Sequence, residues 1–147
     1  MPQRRDAAIV GMYEYPLRVA TGVSPLQIKA ASAARALDDA GLRWADVDAV
    51  YDTAGDQNIG GLGIAEYFGF KPRVIDTTYV GGSSFEFQAN HALTMIAAGK
   101  CNVALLSYGS AAHSDRRAIG TAGATGVGPA TFINNMEDPW GLTLIGN

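Results

Sequence analysis

Arg73-Val74-Ile75-Asp76-Thr77-Thr78-Tyr79-Val80-Gly81-Gly82-Ser83-Ser84-Phe85 decides how the rest of the chain is read. Residues 73–80 are rich in β-branched and apolar side chains, which suit a pleated strand. Two glycines and two serines then break the run. From Phe85 onward Ala89, Ala92, Leu93 and Ile96 recur as the apolar stripe of a helix, which Gly99 closes. Residues 102–108 follow at once, apolar almost throughout, and read as a strand buried on both faces. Strand, glycine turn, helix and strand make the repeating unit of a parallel sheet.

The same alternation extends upstream. Ala7-Ala8-Ile9-Val10-Gly11-Met12-Tyr13 reads as a short buried strand followed by the turn-prone Tyr15-Pro16. Ser24-Pro25-Leu26-Gln27 starts a helix: Ser24 caps, Pro25 suits the first helical position, and Gln27 completes a capping box. Leu26, Ala30, Ala33, Ala34, Leu37 and Ala40 then share one face, and Gly41 stops the helix. A second strand is expected over 47–53, a turn at Gly55-Asp56-Gln57-Asn58, and a helix over 59–68 ended by Gly69 and Pro72. The order β-α-β-α-β-α-β predicts an α/β fold with a mixed, mainly parallel sheet and layered helices. Beyond Ser110 the texture changes: 114–117 is polar, 120–128 is Gly/Ala/Thr-rich, and 139–145 turns apolar just before the chain stops. Residues 1–112 are therefore read as an α/β core, and 113–147 as the start of a loop or cover region with a truncated final segment.

Of the 147 residues 48% are hydrophobic and only 17% charged, with 18 glycines and a net charge of −3. Such apolar content excludes a disordered chain. Charge well below the roughly 25% of an average soluble domain implies a surface that is largely covered. The basic doublets, Arg4-Arg5 and Arg116-Arg117, stand far apart among 11 basic and 14 acidic residues, so no nucleic-acid footprint is present. No apolar run reaches the ~18 residues of a membrane span, and no secretory h-region follows Met1. A single cysteine, Cys101, excludes an internal disulfide and fits a reducing compartment, so the cytoplasm is expected.

Gly81, Gly82, Ser83 and Ser84 are the leading candidate for chemistry. They lie where a strand hands over to a helix, at the carboxyl end of the strand, where open α/β sheets place ligands. Helix N–H groups and the positive end of the helix dipole favour an anion there. The plainer alternative is a tight turn with Ser83 or Ser84 as a cap, and local sequence leaves both open. Gly60-Gly61-Leu62-Gly63 lacks nucleotide-loop spacing. His91, inside a helix, reads as a packing or surface residue. His113, beside Ser114 and Asp115 just past a strand, is a second site candidate. Serine, histidine and aspartate occur at no triad spacing, and two histidines with one cysteine predict no metal site. Cys101, at the start of a buried strand, reads as a small apolar core residue.

Ala36-Leu37-Asp38-Asp39-Ala40-Gly41-Leu42 with Asp46-Val47-Asp48-Ala49-Val50, and the 81–85 stretch with Ala97-Ala98-Gly99-Lys100-Cys101-Asn102-Val103-Ala104-Leu105-Leu106, resemble the N-terminal half of thiolase-superfamily enzymes. The wording is most similar to the lipid-transfer, or sterol-carrier-type, thiolase-like branch. The resemblance covers most of residues 7–110. It implies that the C-terminal half, with its acid/base residues, is absent, so that the 147 residues alone would be inactive. In thiolases the nucleophilic cysteine lies seventeen residues before the glycine that ends this helix. Counting back from Gly99 reaches Gly82, and Cys101 falls nineteen residues after it. A glycine forms no acyl-enzyme.

The resemblance therefore implies a branch that cleaves a β-hydroxyacyl-CoA by retro-aldol chemistry, in the breakdown of a steroid or lipid side chain. It implies a coenzyme A thioester as substrate, with no bound cofactor. It also implies a homodimer paired through Val74, Ile75, Thr77, Thr78 and Tyr79, and a small OB-like partner protein. The alternatives are an acetyl-CoA acetyltransferase or thiolase, and a non-catalytic acyl-CoA- or lipid-binding subunit.

Overall fold

The computed structural model describes residues 7–53 and 60–114. Arg4-Arg5, Gly55-Asp56-Gln57-Asn58 and the stretches at 115–117, 120–128 and 139–145 lie outside the described residues. The chain divides into two compact units, Met1–Ala111 and Ala112–Asn147. Of the second, residues 112–114 are described, and they form a turn.

The first unit is built on three parallel strands, β1 (Ala49–Asp52), β2 (Val74–Asp76) and β3 (Ala104–Ser107), in the order β2-β1-β3. Val50 stands opposite Ile75 on one side and Leu105 on the other. Among the described residues three helices pack on this sheet: α1 (Pro25–Ala40), α2 (Gly60–Phe68) and α3 (Ser84–Ala97). A strand's side chains alternate between faces, and β1 uses this to separate two cores. Val50 packs with Ala33, Leu37, Ile64 and Leu105 beneath α1 and α2. Ala49 and Tyr51 pack with Ala92 and Cys101 beneath α3. This is the expected α/β architecture with a parallel sheet and helices on both faces.

Local chemistry accounts for the helix boundaries. The Ser24 hydroxyl accepts from the Gln27 N–H at 3.2 Å, the Gln27 side chain accepts from the Ser24 N–H at 2.8 Å, and Pro25 opens α1. Gly41 ends it in the left-handed region, at φ 66°. A short 3-10 turn, Trp44–Asp46, leads into β1, and Trp44 stacks on Phe68 with ring centroids 4.0 Å apart. At the amino end of the sheet, Asp48 accepts from the N–H groups of Asn102 and Val103 at 2.9 Å each. That end is sealed by backbone bonds to one carboxylate.

Four expectations are corrected. Residues 7–13 are not a buried strand: Ile9 is 90% exposed, and no described strand pairs with them. The segment instead lies along α1, where the Met12 N–H donates to Asp39 at 3.1 Å and Gly11 passes against the Ala36 carbonyl. The described order therefore begins with a helix. The strand expected over 73–80 ends at Asp76. The Asp76 carboxylate captures the Thr78 N–H at 2.7 Å, and this side-chain turn takes the backbone out of the ladder. On α3 the buried row is Ser84, Gln88 and Ala92, while Ala89 and Leu93 face outward. Polar side chains occupy the inner row because the chain beside them supplies partners. Finally, β3 is fully buried only at Leu105; on its other face Ala104 packs partly against the core beneath α3 and Leu106 is exposed. Among the described strands it lies at the edge of the sheet, whereas all four residues of β1 are buried.

Candidate functional site

Each parallel strand ends on a polar residue: Asp52 on β1, Asp76 on β2 and Ser107 on β3. The carboxyl end of the sheet thus gathers the polar chemistry of the unit. Asp52 and Lys29 are buried together, with Nζ 2.8 Å from Oδ2, and the Ser107 hydroxyl donates to the other carboxylate oxygen at 3.2 Å. Burial pushes the Asp52 carboxyl up, while Lys29 and Ser107 pull it down. Gly109 closes over the pair, leaving no room for a side chain between Pro25 and Lys29. This cluster ties α1 to the sheet and is shut off from solvent.

The second cluster is open at one side. Gly81, Gly82 and Ser83 lead into α3, and all three are exposed. Gly81 adopts φ 73°, which only glycine takes without strain. Gly82 does not lie in the left-handed region, and a Cβ added there meets nothing within 4 Å among the described residues. Its lack of a side chain is imposed neither by the backbone nor by crowding. Ser83 stands at the cap position without a side-chain cap bond. Ser84 is fully buried; its hydroxyl donates to the Gly81 carbonyl at 2.6 Å and accepts from the Val80 N–H at 2.9 Å. The four residues named from sequence are therefore together, with Ser84 holding the loop from below and the other three presenting it to solvent.

A neighbouring group was missed in the sequence reading. His91 Nδ1 lies 2.6 Å from Asp76 Oδ2, and the Thr78 hydroxyl donates to Asp76 Oδ1 at 2.6 Å. Burial tends to raise the Asp76 carboxyl, but the bonds from Thr78 and His91 outweigh it and hold the group below the usual carboxylate range. Gln88, fully buried, donates to the Thr78 carbonyl at 3.1 Å. Its own side-chain oxygen and the Tyr51 hydroxyl are buried without a hydrogen-bond partner among the described residues. Burial, with smaller contributions from Cys101 and the Asp76 charge, pushes the Tyr51 hydroxyl up to about 12. The available signal is the spacing of Ser84, Gln88 and His91, which recur about once per turn of α3.

The remaining named residues are dispersed. His113 is exposed in the 112–114 turn of the second unit. Cys101 is 1% exposed beside Ala49, Tyr51 and Ala92, and burial raises its thiol, as suits a core residue. Val74 and Ile75 lie on β2 at the edge of the sheet, Thr77 and Tyr79 are exposed beyond it, and Thr78 is bound to Asp76. Among the described residues no helix is long and apolar enough to cross a membrane.

No protein-family model matches the sequence, and no curated protein does so. A solved structure has a similar fold. It is described as the Ltp2-ChsH2(DUF35) aldolase, with a TM-score of 0.71 and 21% sequence identity. The match covers 92% of this chain and 33% of that one, so the chain spans about a third of the length of its structural neighbour.

Proposed function

We propose that this chain is the N-terminal part of a thiolase-like carbon–carbon lyase that cleaves a β-hydroxyacyl-CoA by a retro-aldol reaction. The observation that carries this reading is Gly82. It occupies the position where the resembling thiolases place their nucleophile, yet backbone and packing leave room there for a side chain. A covalent acyl-enzyme has no atom to form on, and the space falls to the substrate. The shared fold with a protein named as an aldolase supports the same class of reaction.

In that reaction a base removes the β-hydroxyl proton and the carbonyl forms. The Cα–Cβ bond breaks, its electron pair passes into the thioester enolate, and Cα is then reprotonated. The developing oxyanion suits the first turn of α3. There the Ser84 N–H is already taken by the Gly81 carbonyl, and the N–H groups of Phe85 and Glu86, which follow it, come too early for an acceptor within the helix. The acid and base groups belong to the remainder of the enzyme. By the same reading the acyl group is a steroid or lipid side chain, and the protein is cytoplasmic. A second copy pairs along β2 through Val74, Ile75, Thr77, Thr78 and Tyr79, and a small OB-like protein is a partner.

The test uses the purified full-length enzyme with β-hydroxyacyl-CoA esters and chromatographic detection of acyl-CoA products. Release of a shorter acyl-CoA together with a carbonyl product is expected. Condensation of acetyl-CoA without any such cleavage would overturn the proposal.

A further inference from the structure

Between β2 and α3 the chain doubles back, so residues 76–81 run antiparallel to the helix that follows them. Three side chains of α3 hold this segment, about one per helical turn. Ser84 binds the Val80 N–H and the Gly81 carbonyl, Gln88 binds the Thr78 carbonyl, and His91 binds the Asp76 carboxylate. Ser84, Gln88 and His91 stand at i, i+4 and i+7. Their partners at 80–81, 78 and 76 follow the two-residue period of an extended chain.

A turn needing only to be closed would use the first rung. The second rung is costly, since Gln88 is fully buried and its carbonyl oxygen has no partner among the described residues, and the third is partly open, the His91 side chain being 40% exposed. A buried amide in that state is a poor device for stability alone. What all three rungs share is that they fix the chain delivering Gly81, Gly82 and Ser83 to the open end of the site.

We infer that Gln88 and His91 are positioning residues that set the placement of Gly81 and Gly82 through the 76–81 segment, and that the His91–Asp76 rung makes this placement sensitive to proton binding. The functional consequence for a coenzyme A thioester rests on the proposed function, whereas the mechanical coupling does not. Among the described residues the groups facing the His91–Asp76 rung are Thr78, Tyr51 and Phe87. Thr78 is neutral and donates to Asp76, and Tyr51 on β1 stays un-ionised across the physiological range. Phe87, one turn before His91, meets its ring edge-on with centroids 6.5 Å apart. The charge of the rung therefore changes only when His91 or Asp76 takes up or loses a proton.

The experiment labels glycine with 15N in the full-length protein and follows the Gly81 and Gly82 amides as pH is varied. They are expected to shift with the same midpoint as the His91 ring. His91→Leu and Gln88→Leu should displace both resonances at fixed pH, and His91→Asn, which keeps a donor near Nδ1, should restore them. With a β-hydroxyacyl-CoA ester the leucine variants should raise KM about fivefold with kcat little changed, the signature of lost uniform binding. Glycine amides that ignore the His91 titration in the unmodified protein would overturn the coupling, even if the leucine variants fail to fold. Amides that respond in a protein indifferent to coenzyme A thioesters would keep the coupling and remove the acyl-CoA reading.

Discussion

On one face of β1, Val50 is enclosed by Ala33, Leu37, Ile64 and Leu105, and the buried carboxylate of Asp52 is matched by the Lys29 cation and the Ser107 hydroxyl. On the other face, Tyr51 lies beside Ala49, Ala92 and Cys101, and neither its hydroxyl nor the Gln88 carbonyl oxygen has a hydrogen-bond partner among the described residues. Four consecutive residues of a single strand thus serve two differently built layers. The α1/α2 layer satisfies its polar atoms and closes over them at Gly109. The α3 layer uses its polar atoms to hold a loop whose tip is exposed. The contrast separates a face organised for stability from one organised around Gly81 and Gly82.

The most damaging way to test this contrast is to break the closed layer. Lys29→Met removes the cation and leaves Asp52 buried without charge compensation, for an expected loss of about 3–5 kcal/mol in denaturant unfolding. Lys29→Met with Asp52→Leu removes both charges and should recover most of that loss, because a buried pair adds little over well-packed apolar side chains. A single variant as stable as the parent would show that Asp52 is reached by water and that this layer is not closed.

A smaller effect distinguishes the two glycines of the open layer. Gly81→Ala forces a Cβ into the left-handed region and should cost roughly 1–2 kcal/mol. Gly82→Ala should stay within about 0.5 kcal/mol of the parent, since the Cβ enters open space. If Gly82 faces the substrate, Gly82→Leu should leave thermal unfolding nearly unchanged while weakening β-hydroxyacyl-CoA capture at least about tenfold, as a steric block of the ligand. Equal instability of the two alanine variants would mean that the loop is only a turn.

Much of the closed layer was legible in the sequence, because capping and periodicity are local. Ser24, Pro25, Gln27 and Gly41 placed α1 within a residue, and the apolar runs placed all three described strands. The alternation of polar and apolar residues did not reveal which strand was central, since β1 and β3 are both apolar and only pairing assigns the edge. Lys29 was missed although its position was suggestive: it lies four residues before Ala33 and eight before Leu37, on the buried row. A lysine there requires an anion, but nothing local identifies Asp52, twenty-three residues on. The 81–84 stretch was found from its glycines. The rungs at Gln88 and His91 were not, because an apolar-stripe reading of α3 favours Ala89 and Leu93 and gives no weight to Gln88. Residues 7–13 misled for the opposite reason. Their composition suits a strand, but a strand exists only where a neighbour accepts its hydrogen bonds, and no described strand does.

The least disruptive probe of the open layer is acid. Asp76 is held below the ordinary carboxylate value of about 3.9 by Thr78 and His91. Between that value and its own lowered one, the unfolded chain binds a proton at Asp76 that the folded chain does not. Stability contributed by Asp76 is therefore fully present above about pH 4 and is lost as pH falls through the lowered value. Asp76→Asn cannot ionise, so it should start less stable at neutral pH, lack this part of the acid limb, and converge with the parent at the lowest pH. The check is the denaturant midpoint of both proteins measured from neutral pH down through the acid limb. Parallel curves would mean that the Asp76 rung carries no charge-dependent stability, and the α3 layer would then differ from the α1/α2 layer only in its unpartnered atoms. Convergence would show that the open layer depends on an ionised carboxylate reached from solvent, while the closed layer holds its own carboxylate out of water's reach.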